Sequence, residues 1–185
     1  MIPELLSNKD SLELSNTVFF QKVDNFIGRE LTLTTTRFIN DGVVESRGHE
    51  TLLKYTTSPI ELSIAYNAIR MDSVTKNQPY NLAPADEITY KLKYDNRKSY
   101  ISLYHKSVND QNRVDNTDSL DPSELPTEGY NLWGFSIGHQ HSFASGTQLL
   151  FNLKVDNIFN EKYRLHGDPI YAKKQNISVN ISSYF

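Results

Sequence analysis

The sequence predicts an all-β protein of about eight antiparallel strands, in the up-and-down order of a transmembrane β-barrel and forming part of a larger barrel. Polar and apolar residues alternate with a period of two through much of the 185-residue chain, as they do along a strand with one apolar face. No long segment keeps the period of a helix. The connections are short and long in turn, so every long loop falls at one end of the sheet, as extracellular loops do in an outer-membrane barrel.

Four segments alternate most regularly and define the two faces, although Ser183 interrupts the apolar face of the last one. In residues 60–67, apolar residues at the even positions oppose polar or small residues at the odd positions. The same pattern returns at 88–94, 149–156 and 176–185. The apolar face of 149–156 carries no charge, which agrees with a face in contact with lipid. The opposite face is expected to point into a watery lumen and carries Lys91, Lys93, Lys154 and Asp156.

Four further segments predict strands with less regular faces, at 12–20, 43–56, 99–108 and 130–139. In the first of them, Asn16 interrupts the apolar face. Residues that favour turns mark the connections between the eight segments. The short turns are predicted at 57–59, 95–97 and 142–146. The long connections are predicted at 29–42, 72–85, 111–128 and 159–174.

Aromatic residues near the strand ends predict two girdles at the membrane interfaces. The alternative is that aromatic residues simply favour strands. The inner girdle would consist of Tyr55, Tyr94, Tyr100, Phe143 and Phe185. The outer girdle would consist of Tyr130, Phe159 and Tyr163.

The composition excludes several classes of function. Charged residues make up 22% of the chain and the net charge is -3, so there is no basic face for nucleic acid. The chain has no cysteine, which excludes disulfides, thiol catalysis and thiolate metal sites. Neither a basic nor an apolar leader follows Met1. An outer-membrane protein needs an export signal, so we expect the chain to be a fragment or the product of a truncated reading frame.

Six stretches, in order along nearly the whole chain, resemble the C-terminal barrel of TonB-dependent receptors. The most specific is 155–163 (V-D-N-I-F-N-E-K-Y), which resembles the pattern V-x-N-L-F-x-x-x-Y near the end of those receptors. Phe185 supplies a terminal aromatic residue, whereas His49 stands where an apolar residue is usual. The other five stretches are 23–27 (V-D-N-F-I), 46–50 (S-R-G-H-E) with 54–55 (K-Y), 81–84 (N-L-A-P), 111–114 (Q-N-R-V) and 127–130 (T-E-G-Y).

The resemblance implies a transport receptor of the Gram-negative cell outer membrane, not an enzyme. Such a receptor takes up scarce cargo such as ferric siderophores, haem or metal ions, and its complete form is driven by TonB. It has a barrel of about 22 strands closed by a plug. Residues 1–185 are therefore interpreted as a single domain, the C-terminal segment of such a barrel, without the plug.

The last strand resembles the signal that the barrel-assembly machinery reads, because its apolar residues alternate and an aromatic residue ends it. A simple lipid-facing strand is a compatible reading. The residues given this assembly role are Ile177, Val179, Ile181 and Phe185. His166, in the last long connection, is the candidate for contact with cargo, with a solvated loop residue as the alternative.

No catalytic, cofactor-binding or metal-binding residue is predicted. His139 and His141 share one strand face and could chelate a metal weakly, but that face places them at the membrane rim. Four acidic residues crowd the third long connection without the spacing of a calcium loop, which favours a solvated loop. They are Asp115, Asp118, Asp121 and Glu124.

The sequence leaves two other functions open. A complete eight-stranded barrel of the OmpA-like type would be a structural or adhesive membrane protein, and its first and last strands should pair. A soluble ligand binder of lipocalin kind should have an apolar interior and a polar exterior. The partners expected for the barrel readings are outer-membrane lipid and the barrel-assembly machinery, and nucleic acid is excluded.

Overall fold

The computed structural model describes residues 10–31, 35–115 and 122–185. Eight long strands carry the fold, and three short ones lie in the long connections. A one-turn 3₁₀ helix spans Pro122–Glu124. The strands are β1 (Asp10–Val23), β2 (Ile27–Leu31), β3 (Thr36–Asn40), β4 (Val44–Thr57), β5 (Ile60–Ser73), β6 (Gln78–Pro79), β7 (Glu87–Asp95), β8 (Ser99–Val108), β9 (Tyr130–Ser142), β10 (Gln148–Asp156) and β11 (Asn176–Tyr184).

The long strands form one antiparallel sheet in the order β1-β4-β5-β7-β8-β9-β10-β11. Each of them pairs with its neighbour in the chain once the short strands are set aside, as the up-and-down fold class predicts. All eight predicted strands are therefore confirmed. The short turns at 58–59, 96–98 and 143–147 alternate with long connections at 24–43, 74–86, 109–129 and 157–175, so the long loops share one end of the sheet.

The small hairpin of β2 and β3 in the first long connection escaped the sequence prediction. Its strands are five residues each and pair only with each other in the described part of the chain. Charged residues take the place of a regular apolar face, and Arg37 donates to Glu30 across the hairpin. A hairpin of this kind leaves little periodicity to detect.

One face of the sheet, here called the outward face, is apolar and exposed. Leu62, Leu92, Leu103 and Phe135 are successive partners across β5, β7, β8 and β9. Leu62 is 44% exposed, and Ile101, two residues before Leu103 on the same face of β8, is 50% exposed. A soluble lipocalin-like protein would bury these side chains, so that alternative is wrong.

The opposite face is polar and lines a groove of about 610 Å³, here called the concave face. The four charged residues that the sequence assigned to the lumen, Lys91, Lys93, Lys154 and Asp156, all line this groove. The predicted partition of the two faces is confirmed. Leu132 is an apolar exception, buried near the long-loop end beside Val108.

The sheet is open within the described residues. β1 pairs with β4 and β11 pairs with β10, and these two strands stand at opposite ends of the sheet. A complete barrel of eight strands would need β1 to pair with β11, so this structure does not support the OmpA-like alternative. The observed arc agrees with a part of a larger barrel.

Among the described residues, no helix is long and apolar enough to cross a membrane.

A few polar residues on the outward face bond to one another near the middle of β1 and β4. Asn16 Nδ2 donates to His49 Nε2 at 2.7 Å and lies 2.9 Å from Thr51 Oγ1. The His49 ring also meets the Tyr66 ring edge-on, with the centroids 5.9 Å apart. The interruption at Asn16 and the departure at His49 therefore belong to one cluster of polar residues on this face.

Two tyrosines of β8 lie across glycines of β9 on the concave face. A Cβ atom added to Gly134 would come within 2.3 Å of the Tyr104 ring, and one on Gly138 within 2.1 Å of the Tyr100 ring. The Tyr104 hydroxyl donates to Asp156 Oδ1 at 2.9 Å. The Tyr100 hydroxyl likewise donates to Asn152 at 3.1 Å. Each tyrosine therefore crosses one strand and bonds to the next.

The predicted girdles need two corrections. Tyr100 faces the concave side and cannot belong to an interfacial girdle on the outward face. Tyr130 is only 7% exposed, because it packs in a small core with Val108 and stacks on Tyr163, with the ring centroids 4.4 Å apart. The two tyrosines of the proposed outer girdle instead hold the long loops to the sheet.

Candidate functional site

Three of the stretches that carry the family resemblance, 81–84, 111–114 and 127–130, meet at the long-loop end. They come from two long connections, and hydrogen bonds join them to His166 of a third connection in one cluster. This cluster, here called the loop clamp, consists of Asn81, Ala83, Gln111, Thr127 and His166.

Gln111 is the buried centre of the loop clamp, at 4% exposure. Its side-chain amide Nε2 donates to the carbonyl oxygens of Ala83 at 2.9 Å and Pro84 at 3.0 Å. Its backbone forms a two-way bridge with Thr127, at 2.9 and 3.0 Å. The Gln111 side chain thus satisfies two carbonyl groups of the 74–86 connection, one of them on the buried Ala83. The Gln111 backbone pairs with the far end of its own connection.

His166 joins the last long connection to the same cluster. Its Nε2 donates to the Asn81 carbonyl at 2.6 Å, and its Nδ1 lies 2.7 Å from Thr127 Oγ1, which then donates to it. Burial lowers the pKa of His166, and the nearby Arg164 cation lowers it further, while the bond to Asn81 acts in the opposite direction. A neutral imidazole therefore fits the loop clamp, and contact of His166 with cargo stays a prediction.

The loop clamp should weaken in acid. Because the pKa of His166 lies below its ordinary value of 6.5, protonation favours the undocked loops, and stability is lost as the pH falls below that ordinary value. We expect hydrogen-exchange protection factors around Thr127 and Asn81 to fall between about pH 7.5 and about pH 5.5. Substitution His166→Asn should abolish this pH dependence. Equal protection factors of these amides at both pH values would contradict the role of a neutral His166 in the loop clamp.

The stretch 155–163 forms a tight loop closed by Asn157. The Asn157 side chain accepts a hydrogen bond from Glu161 N and donates one to Glu161 O, both at 2.8 Å. Its backbone has φ of 53°, which asparagine tolerates better than most residues. This loop delivers Tyr163 to Tyr130 and so begins the last long connection against the sheet.

A cleft of about 650 Å³ opens beside the loop clamp. The β2–β3 hairpin forms one wall, and the loops around residues 80–82 and 123–124 form others. Its apolar lining consists of Phe26, Ile27, Phe38, Tyr80 and Leu82. Its charged lining consists of Arg29, Lys76, Glu30, Asp41, Asp115 and Glu124.

The charges of the cleft are held in pairs. Lys76 contacts Asp41, and Arg29 lies 3.7 Å from Glu124 and 3.2 Å from Ser123 Oγ. Gly28 allows Asp41 to approach this closely, because a Cβ at that position would lie 2.8 Å from the Asp41 Cβ. Glu30 is paired with Arg37 across the hairpin, and Asp115 accepts a hydrogen bond from the neutral Gln78 side chain, so the cleft carries a small excess of negative charge.

Tyr80 joins the apolar and charged parts of the cleft. Its ring meets the Phe26 ring edge-on, with the centroids 5.2 Å apart. Burial raises the pKa of Tyr80, and the carboxylates of Asp41 and Asp115 raise it further. The hydroxyl therefore stays protonated and can donate to a ligand in the cleft.

The remaining predicted residues fall in separate places. Asp118 and Asp121 lie outside the described residues, whereas Asp115 and Glu124 both line the cleft. His139 and His141 have ring centroids 6.4 Å apart, at the short-turn end of β9. In the described part of the chain, no group of three His, Cys, Asp or Glu could hold a metal ion.

The last strand exposes its predicted assembly residues. Ile177, Val179 and Ile181 stand on the outward face at the free edge of the sheet, and Val179 is 59% exposed. Phe185 follows the last strand and is fully exposed. Recognition of these residues by the assembly machinery stays a prediction.

Solved structures with the same fold include a copper transporter and an iron transporter. Copper transporter OprC matches with a TM-score of 0.79 at 15% identity, over 94% of this chain and 29% of that one. The FrpB iron transporter from Neisseria meningitidis matches over the same shares at 14% identity, with TM-scores of 0.68 for its F3-3 variant and 0.69 for its F5-1 variant.

The chain thus spans 29% of the length of these transporters. No family model and no curated protein matches the sequence. At this identity the likeness establishes the fold, which is an eight-stranded part of the transporters' barrel. The resemblance to the barrel of TonB-dependent outer-membrane receptors is confirmed at that level.

Proposed function

We propose that the chain is part of an outer-membrane TonB-dependent receptor that imports a scarce cargo, such as a ferric siderophore, haem or a metal ion. One observation carries the proposal. The sheet combines an exposed apolar outward face with a polar concave face, and all its long loops, with their cleft, stand at one end. In an outer-membrane barrel that end faces the outside of the cell.

The outward face supports insertion in lipid. Rows of half-exposed leucine, isoleucine and valine side chains continue across neighbouring strands, and large contiguous apolar patches of this kind mark sites of contact with a membrane or another protein. Lipid removes this area from water, which is favourable by roughly 25 cal/mol per Å². The apolar band should therefore contact the outer-membrane lipid of a Gram-negative bacterium.

The cleft supports the capture of a chelated or organic cargo. Its volume of about 650 Å³ falls within the usual range of small-molecule sites, and it combines apolar walls with a few polar groups, as such sites do. His166 stands beside the cleft rather than lining it.

The partners of this proposal are those of an import receptor. The barrel-assembly machinery would insert the last strand, with Ile177, Val179, Ile181 and Phe185 as its signal. TonB and a metal-chelate cargo would act on the complete receptor. The transporters with this fold support a role in transport rather than catalysis.

Deletion of the gene that encodes the chain tests the proposal. We expect the deletion strain, grown with iron or copper supplied only as defined chelates or haem, to lose growth on at least one of them. Return of the intact gene should restore that growth. Uptake of the same chelate, when labelled, should fall in the deletion strain and recover when the intact gene is returned. Unchanged growth and uptake on every chelate would overturn the import function.

A further inference from the structure

The groove on the concave face has a floor of small residues between lysines. Ser102 of β8 and Ser136 of β9 are direct partners, with Lys93 beside Ser102 on β7 and Lys154 beside Ser136 on β10. These four residues form one row across four strands. The two lysines are thus three strand spacings apart, about 14 Å between their Cα atoms. The row leaves an open floor between two cations.

Most charges of the groove are paired. Four lysines line it, at positions 91, 93, 106 and 154, together with the carboxylates of Glu61 and Asp156. Glu61 is itself paired with Lys54, at 3.2 Å. Three of the lysines have a carboxylate nearby: Lys93 lies 2.7 Å from Asp95, Lys106 lies 2.6 Å from Glu87 and Lys154 lies 2.9 Å from Asp156.

Lys91 differs from the other three lysines. It makes no ion pair within residues 10–31, 35–115 and 122–185 and is exposed to the groove. Asp156 also accepts a hydrogen bond from the Tyr104 hydroxyl, so Lys154 shares this carboxylate with a second donor. Lys91 and Lys154 therefore offer the cations best placed to meet a ligand.

We infer that this groove binds a small solute that carries two or more phosphate or carboxylate groups. A lysine ammonium is a mobile point charge that suits such groups, and the hydroxyls of Ser102 and Ser136 can donate to a ligand on the floor. Exposed ion pairs are weak one at a time. A ligand with a single charge would therefore gain little, whereas a polyanion can meet lysines on both sides. The inference concerns the barrel wall and is independent of the cleft at the long-loop end.

Titration of tripolyphosphate into the 185-residue chain, folded in micelles of a zwitterionic detergent, tests the site. Binding followed by calorimetry should be saturable and weaken with added salt. Substitution Lys91→Ala should raise the Kd about fivefold, the equivalent of about 1 kcal/mol. Acetate at equal ionic strength should show no saturable binding.

The matched control is Lys98→Ala, which removes the same charge from the short turn between β7 and β8. This variant should keep the Kd of the unaltered chain. If Lys91→Ala fails to fold, Lys91→Gln keeps the length of the side chain and should give the same rise in Kd. The inference is overturned if tripolyphosphate shows no saturable binding, if Lys98→Ala weakens it as much, or if acetate binds as tightly.

Discussion

Val179→Arg should prevent most of the chain from assembling in a membrane, whereas Asn180→Arg should leave assembly nearly intact. Val179 stands on the outward face opposite Leu153, and Asn180 stands on the concave face opposite Asn152. An arginine on the lipid face at mid-membrane costs about 2–4 kcal/mol, a factor of roughly 30 to 1,000 in the folding equilibrium. On the concave face the same arginine stays in water.

The measurement is the folded fraction of each variant after dilution from urea into lipid vesicles, followed by gel mobility with and without heating. Both variants add one charge at neighbouring positions of β11, so charge and strand propensity are matched. Equal folded fractions would mean that the two faces are wrongly assigned. A loss confined to Asn180→Arg would mean that they are reversed.

Asn157→Ala should cause the largest loss of stability at the long-loop end. Asn157 is 3% exposed, and its side chain satisfies both backbone groups of Glu161. Each of the two hydrogen bonds contributes about 1 kcal/mol, and alanine at a positive φ costs about 1 kcal/mol more. We expect the free energy of unfolding in urea to fall by about 3 kcal/mol.

Asn157→Gly separates the two causes. Glycine accepts the positive φ without strain but lacks the two side-chain bonds, so it should be about 1 kcal/mol more stable than the alanine variant. An alanine variant within about 0.5 kcal/mol of the unaltered chain would show that the closed loop contributes little. Glycine and alanine variants of equal stability would exclude the contribution of backbone strain.

The long strands were predictable because their period of two is imposed by one exposed apolar face and one wet polar face. This requirement applies to every second residue, so the alternation alone assigns Leu62 to the outward face and Lys91 to the concave face, even when the neighbouring strands are unknown. β8 was predicted with its observed bounds, Ser99–Val108. The alternation of short turns and long loops likewise follows from residues that favour turns.

The site at the long-loop end was not predictable from the same signals. The loop clamp joins residues up to 85 positions apart, from Asn81 to His166, and no local pattern encodes such a pairing. The sequence did mark 81–84, 111–114 and 127–130 as stretches of family resemblance. Their meeting around Gln111 became visible only with the fold.

The tyrosines failed as girdle residues for a physical reason. Near the strand ends, an aromatic side chain can point to the outward interface or fill a gap on the other side. At Tyr100 the alternation along β8 sets the direction, because Tyr100 shares a face with Ser102 and lies opposite to Ile101 and Leu103. Gly138 on β9 then leaves room for the ring. The sequence therefore contains the direction of Tyr100, whereas the space for its ring depends on a pairing partner that the sequence does not state.

Tyr100 and Tyr104 also bear on how the wall resists being pulled apart. Each runs from β8 over β9 to β10, so its bond lies along the circumference of a barrel and not along its axis. Such bonds oppose the sideways separation of the strands. Separation of β8 from β10 must break these bonds in addition to the backbone hydrogen bonds of β9. We therefore expect the sheet to open first between other strands.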